Sequence, residues 1–134
     1  MASYVFTEGS KQIANSSATW TTTASTYYAR LVGVLPLITL TSLTTVTGIG
    51  TDVALSSLAI VREDGSTRVL FKSSNITWTS IATGSTIEGV VFYKDKGGDS
   101  SHVPICLHDV TATPTNGGTV SLTLSSGIVF SLTN

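Results

Sequence analysis

Charge is scarce in this sequence. Asp, Glu, Lys and Arg make up 11% of its 134 residues, less than half the share of about 25% in an ordinary soluble domain. Seven basic residues against eight acidic ones leave a net charge of −1. Phosphate neutralisation needs clustered Lys and Arg, so nucleic acid is excluded as a partner. A polybasic membrane anchor is excluded on the same ground. There is one cysteine, Cys106. A single thiol forms no intrachain disulfide and no cysteine cluster for a structural metal. Only three prolines are present, and aromatics reach 7%. Long apolar runs are missing as well. The most apolar stretch, residues 31–49, is broken by Pro36 and by six Ser or Thr, and a spanning helix needs about 20 predominantly apolar residues. The stretch reads as strand plus turn, and no membrane partner is expected. The N-terminus lacks a basic region followed by an apolar one, so no signal peptide is expected.

Threonine and serine fill the gap, at nearly a third of the chain. The mean hydropathy of +0.33 is far from the polar, charged signature of disorder. The length suits one domain. Alternation with a period of two dominates the second half. Val120, Leu122 and Leu124 oppose Ser121 and Thr123; after Ser125-Ser126-Gly127, Ile128, Phe130 and Leu132 oppose Ser131 and Thr133. Two such runs around a short Gly-containing link predict a terminal hairpin. Residues 57–61 and 67–72 predict another, around Asp64-Gly65. Residues 86–94 predict a strand apolar on both faces: Ile87, Gly89, Val91 and Tyr93 share one, and Val90 and Phe92 lie on the other. Such a strand is central or needs cover. Residues 95–101 read as a polar glycine-rich loop, 103–108 as a strand with Pro104 at an edge or end, and 113–118 as a turn. Residues 26–35 predict a strand, and residues 8–15 a short helix or an irregular arm. Short strands separated by turn signals predict an all-β, single-domain sandwich (jelly-roll-like) or barrel of antiparallel strands. Residues 1–23 are expected as an N-terminal arm and residues 24–134 as the β domain.

Few residues point to chemistry. No G-x-S-x-G elbow is present. Asp99, Ser101, His102, His108 and Asp109 lie close in sequence, as Ser-rich chains bring about by chance, and a glycine-rich loop is a poor platform for a triad. On one regular strand His102 and His108 share a face roughly 20 Å apart, too far for a common ion. Gly48-x-Gly50 reads as a turn, without the third glycine or βαβ unit of a nucleotide loop. Cys106 reads as a small core residue; a reactive thiol is the other reading, with His108 on the same strand face. Trp78 shares a face with Ile76 and reads as buried. Trp20 and the Tyr27-Tyr28 pair are candidates for stacking on a sugar.

The opening Gly9-Ser10-Lys11-Gln12-Ile13-Ala14-Asn15, followed by Trp20, resembles the start of small structural proteins of tailed bacteriophages. So do, in order, Asn75-Ile76-Thr77-Trp78, the run from Glu88 to Asp95, Pro104-Ile105, Asn116-Gly117-Gly118-Thr119-Val120 and the run from Ser126 to Thr133. Residues 36–54 depart from that pattern. The resemblance implies a virion component, not an enzyme, without cofactor or metal. The expected role is capsid decoration (cement) on the outer shell at capsomer junctions, as a homo-oligomer, expected as a trimer, bound to the major capsid protein or another virion protein. The protein would be made in the bacterial cytoplasm and reside on the capsid surface. A tail, neck or fibre component and a carbohydrate-binding host-recognition module are the other readings. The expected contact residues are Tyr4, Phe6, Ile13, Trp20, Leu35 and Leu37. Strands apolar on both faces are a further reason to expect oligomerisation, which supplies missing cover.

Overall fold

A computed structural model describes residues 4–14, 27–62 and 68–133. Among the described residues the fold is all-β apart from one α-helix and a single 3-10 turn at Ser125–Gly127. In order it forms β1 (Tyr4–Val5), α1 (Thr7–Ala14), β2 (Tyr27–Val32), β3 (Val53–Ala54), β4 (Ala59–Arg62) and β5 (Arg68–Lys72). Then come β6 (Ile76–Trp78), β7 (Thr86–Lys94), β8 (Val103–Pro114), β9 (Val120–Leu122) and β10 (Ile128–Thr133). All strand pairings among the described residues are antiparallel. A five-stranded sheet runs β1-β8-β7-β2-β3; the other strands form β10-β5-β4 and the pair β6-β9. This grouping differs from the eight-stranded double Greek key of a jelly roll.

The main core lies between these layers. Tyr27, Ala29 and Leu31 of β2, Val90 and Phe92 of β7 and Ile105 of β8 meet Phe71, Trp78, Val129 and Phe130 from the smaller sheets. The rings of Phe71 and Phe130 stack at 4.3 Å. Trp78 is buried, as its sequence neighbours predict, and its indole N–H has no partner among the described residues. Cys106 is core too, and burial pushes its thiol pKa up, which removes the reactive reading.

β7 is central, as its two apolar faces predict, but one residue changes side. Ile87 packs in the main core with Val90 and Phe92, while Val91 and Tyr93 face the other way. The register against β8 shifts between Ile87 and Gly89, and a shift of that kind resets which face a side chain meets. A second shift makes Ile105 the extra residue of a bulge, so Ile105 and Cys106 both reach the main core. β8 is longer than expected, pairing with β7 as far as Thr86–Pro114. Pro104 lies near its start, where a missing N–H is tolerated.

The terminal hairpin does not form. β9 pairs with β6 and β10 with β5. Ser126 and Gly127 have φ of 53° and 73° and turn the chain into a corner between sheets. The Asn75 side chain accepts the Leu124 N–H at the start of that corner. Each alternating strand keeps its apolar face on the core, but it does so in a different sheet. The β4–β5 pairing forms as expected; the Asp64-Gly65 turn lies outside the described residues.

The expected arm is partly integrated. β1 is an edge strand on β8, with Tyr4 opposite Leu107 and Val5 opposite Cys106. α1 follows, with Glu8 in its first turn, where a negative charge favours the helix dipole. It lies against β8 so closely that a Cβ on Gly9 would sit 2.7 Å from Ile105 Cα. Only glycine permits that approach.

Candidate interaction surface

The second face of the five-stranded sheet is covered by the chain itself. Val32, Val91, Tyr93 and Leu107 from the sheet meet Phe6, Leu43 and Val46, with Tyr4, Leu35 and Leu40 at the margin. Residues 33–52 therefore supply the cover for which the sequence led us to expect a second copy. That argument for oligomerisation is corrected: the loop makes the contact without a partner.

Polar anchors hold the loop in place. Arg30 projects from β2 on this face, where Tyr28 and Val32 share its side. Its Nη1 donates to Val46 O at 2.8 Å, its Nε and Nη2 to Asp52, and Nη2 also to Asp99 Oδ1 at 2.8 Å. The Tyr93 hydroxyl donates to Asp52. Burial pushes the Arg30 pKa down, but the hydrogen bonds and charges of Asp52 and Asp99 outweigh it and hold the guanidinium charged. The hydrogen bond from Arg30 holds the Asp99 carboxyl below its ordinary value. Burial, then the Asp52 carboxylate, pushes the Tyr93 phenol up. The Leu43 N–H donates to Asp99 O at 2.9 Å, so the 95–101 loop grips the cover from its other end.

On this platform stands a short aliphatic knuckle. Val34 is 82% exposed and Leu37 77%, with Ile38 exposed beside them. Leu35, between them, turns inward over Gly89, whose missing Cβ makes room for its Cδ2. Pro36 fixes the chain direction. The Tyr4 hydroxyl donates to Pro36 O, Thr7 N–H to Ile38 O at 3.2 Å and Leu40 N–H to Leu37 O at 3.0 Å. The exposed aliphatics are thus pinned at both ends. An open trough of about 1080 Å³ runs beside them, with hydroxyls of Thr39, Thr44, Thr83 and Ser85 on its walls.

The structure brings four of the six expected contact residues into one region and presents only one of them. Leu37 is on the surface. Phe6 is fully buried and Tyr4 and Leu35 are half-buried, and all three pack beneath the knuckle. Their apolarity reflects packing inside this chain. The Ile13 side chain and Trp20 lie outside the described residues. Val34 and Ile38 were missed; their neighbours in the least charged stretch, next to Pro36, were the available signal.

The other candidates are dispersed. The His102 ring lies tilted against Tyr93 and that of His108 against Phe92, neighbours in β7 that face opposite sides of the sheet. His102 Nδ1 accepts the Lys96 N–H, and His108 Nε2 donates to Val129 O. These contacts commit ring nitrogens to the fold, and the two histidines share no site. Among the described residues no group of three His, Cys, Asp or Glu could hold a metal ion, and no helix is long and apolar enough to cross a membrane. Tyr27 is fully buried, which removes it from the sugar-stacking set; the Lys94 ammonium lies 4.8 Å from its ring centroid.

The chain matches no family model, no curated protein and no solved structure.

Proposed function

We propose that this protein is a bacteriophage virion structural protein, a capsid decoration protein that docks on the outer shell and stabilises the head. The ordered motifs from Gly9 to Thr133 support the virion assignment by resemblance. The observation that carries docking is the pinned knuckle of Val34, Leu37 and Ile38. Large aliphatics grouped together and held out in water by hydrogen bonds at their base form an apolar patch of the kind that marks an interaction site. Covering each one contributes about 1.5–3 kcal/mol before the entropy of docking is set against it. Leu37 and Ile38 of the knuckle fall within residues 36–54, the part of the chain that departs from the family pattern, as a contact specific to one partner would. A ligand that binds only assembled shells shifts the balance toward assembly by mass action. The partners are the major capsid protein and further copies of this chain.

Purified virions test this reading. Quantifying the protein against the major capsid protein should give hundreds of copies per particle; a few copies or tens would place it in the neck, tail or fibre instead. Leu37→Asp, on an exposed side chain, should leave the fold and thermal midpoint unchanged and remove the protein from particles. Unchanged occupancy would defeat the knuckle as the docking site.

A further inference from the structure

We propose that the cleft between the β6–β9 pair and the five-stranded sheet binds a small uncharged molecule with an apolar body and one acceptor oxygen, which the indole N–H of Trp78 holds. This site is separate from the docking surface: among the described residues it shares no lining residue with the trough beside the knuckle.

The cleft has a volume of about 270 Å³. A cavity of roughly 150 Å³ already takes benzene, so a compact organic molecule fits. Leu31 of β2, Ile87 and Val90 of β7 and Trp78 of β6 line its buried end, each no more than 2% exposed. Val120 and Leu122 of β9 form a half-buried wall. Trp78 lies opposite Val120 in register, so the two side chains share a face of the pair. Thr113 and Asn116 stand exposed at the rim. Backbone bonds hold that rim in place. Thr115 N–H donates to Ser85 O at 2.9 Å, Ser85 N–H to Thr115 Oγ1 at 3.0 Å, and Ile81 N–H to Gly118 O at 3.1 Å. The cleft is therefore built into the fold, as ligand sites mostly are.

The chemistry of the occupant follows from one atom. Trp78 Nε1 is a donor that cannot accept. Among the described residues it is the one buried side-chain nitrogen or oxygen without a hydrogen-bond partner. Buried polar groups are nearly always paired, because an unmet donor has given up water for nothing. A water molecule is a poor remedy here. Buried water needs roughly two to four polar partners, and the side chains lining the buried end besides Trp78 are aliphatic. A hydrocarbon body with a single acceptor oxygen needs one donor and no more. No described residue that lines the cleft carries a charge, so an ion would lose its hydration without compensation.

Acetophenone and α-methylstyrene test the site on the full-length chain. They share ring and shape and differ in a carbonyl oxygen against a methylene group. Titrations are followed by the Trp78 indole N–H resonance, assigned with Trp20→Phe. Acetophenone should bind saturably and move the indole proton downfield. α-Methylstyrene should bind roughly fivefold more weakly or worse, without that downfield shift. Benzoate, the charged relative, should bind roughly tenfold more weakly or worse. Val110→Phe, which places a ring in the cleft from a half-buried position on β8, should abolish acetophenone binding with unchanged circular dichroism. The wild-type comparison decides alone if that variant does not fold. Absence of saturable acetophenone binding would overturn the site, and it is the result expected if the chain's own residues fill the cleft. Equal affinity for the two neutral probes, or an indole proton that does not distinguish them, would overturn the role of the donor. Undiminished binding by a folded Val110→Phe protein would overturn the location. None of these outcomes bears on particle occupancy, so the docking proposal stands or falls separately.

Discussion

The two faces of the five-stranded sheet are closed in different ways. The inner face meets other strands, and aliphatic and aromatic side chains from three sheets interlock there. The outer face meets residues 33–52, which pair with the sheet at the Val32–Gly48 bridge, pack on it through Leu43 and Val46, and are tied down by Arg30, Asp52 and Asp99. Strand cover distributes its stability over many contacts. Loop cover concentrates it in a few polar anchors and leaves the loop's outer residues free to carry a surface such as the knuckle.

Three measurements sharpen this contrast. The largest effect is expected on the inner face. Phe92 is fully buried, and Phe92→Ala should lower the unfolding free energy by about 3–5 kcal/mol in urea titration, with the whole transition shifting together. Arg30→Gln should lower it by about 1–3 kcal/mol, a range kept small because Asp99 is half exposed and solvent screens its charge. Its signature is local: the amides of Leu43, Val46 and Ile49 should exchange faster while those of β7 keep their protection. Equal loss of protection across the sheet would break the distinction between the two covers.

The smallest effect separates the faces by pH. His108 contacts the inner-face ring of Phe92, and burial lowers its pKa below the ordinary 6.5, against the opposing pull of its bond to Val129 O. The unfolded chain then takes up a proton that the native one resists. This contribution is whole above pH 6.5 and drains as pH falls through 6.5 toward the native value. Asp99, on the outer face, is held low by Arg30, so its contribution is whole above the ordinary 3.8 and is lost below it. The thermal midpoint should therefore fall in two steps on acidification. His108→Gln should remove the first step and Asp99→Asn the second. A wild-type midpoint that stays flat until the lower step would show that His108 is not destabilised by protonation.

Much of the strand content was legible because alternation is local. Residues 86–94 announced a central strand, Trp78 and Cys106 announced burial, and the glycines at 48 and 50 announced a turn. The final hairpin was misread for the same reason: alternation shows which side chains face a core, and β9 and β10 do face it, but from different sheets. The Arg30 anchors were invisible. Arg30 was a lone charge in an apolar strand, and its partners Asp52 and Asp99 lie 22 and 69 residues away. Exposure was not legible, since apolarity marked Leu37 and Phe6 alike and could not tell the exposed one from the buried one.

Sequence by itself determined an all-β chain of low charge, rich in threonine, with one strand apolar on both faces. Those properties follow from backbone preference and residue chemistry, which act over a few neighbours. Tertiary structure decided which strands pair, what covers the second face and which aliphatics stay in water. These outcomes depend on contacts between residues far apart in the chain, and only the folded arrangement brings such residues within reach of one another.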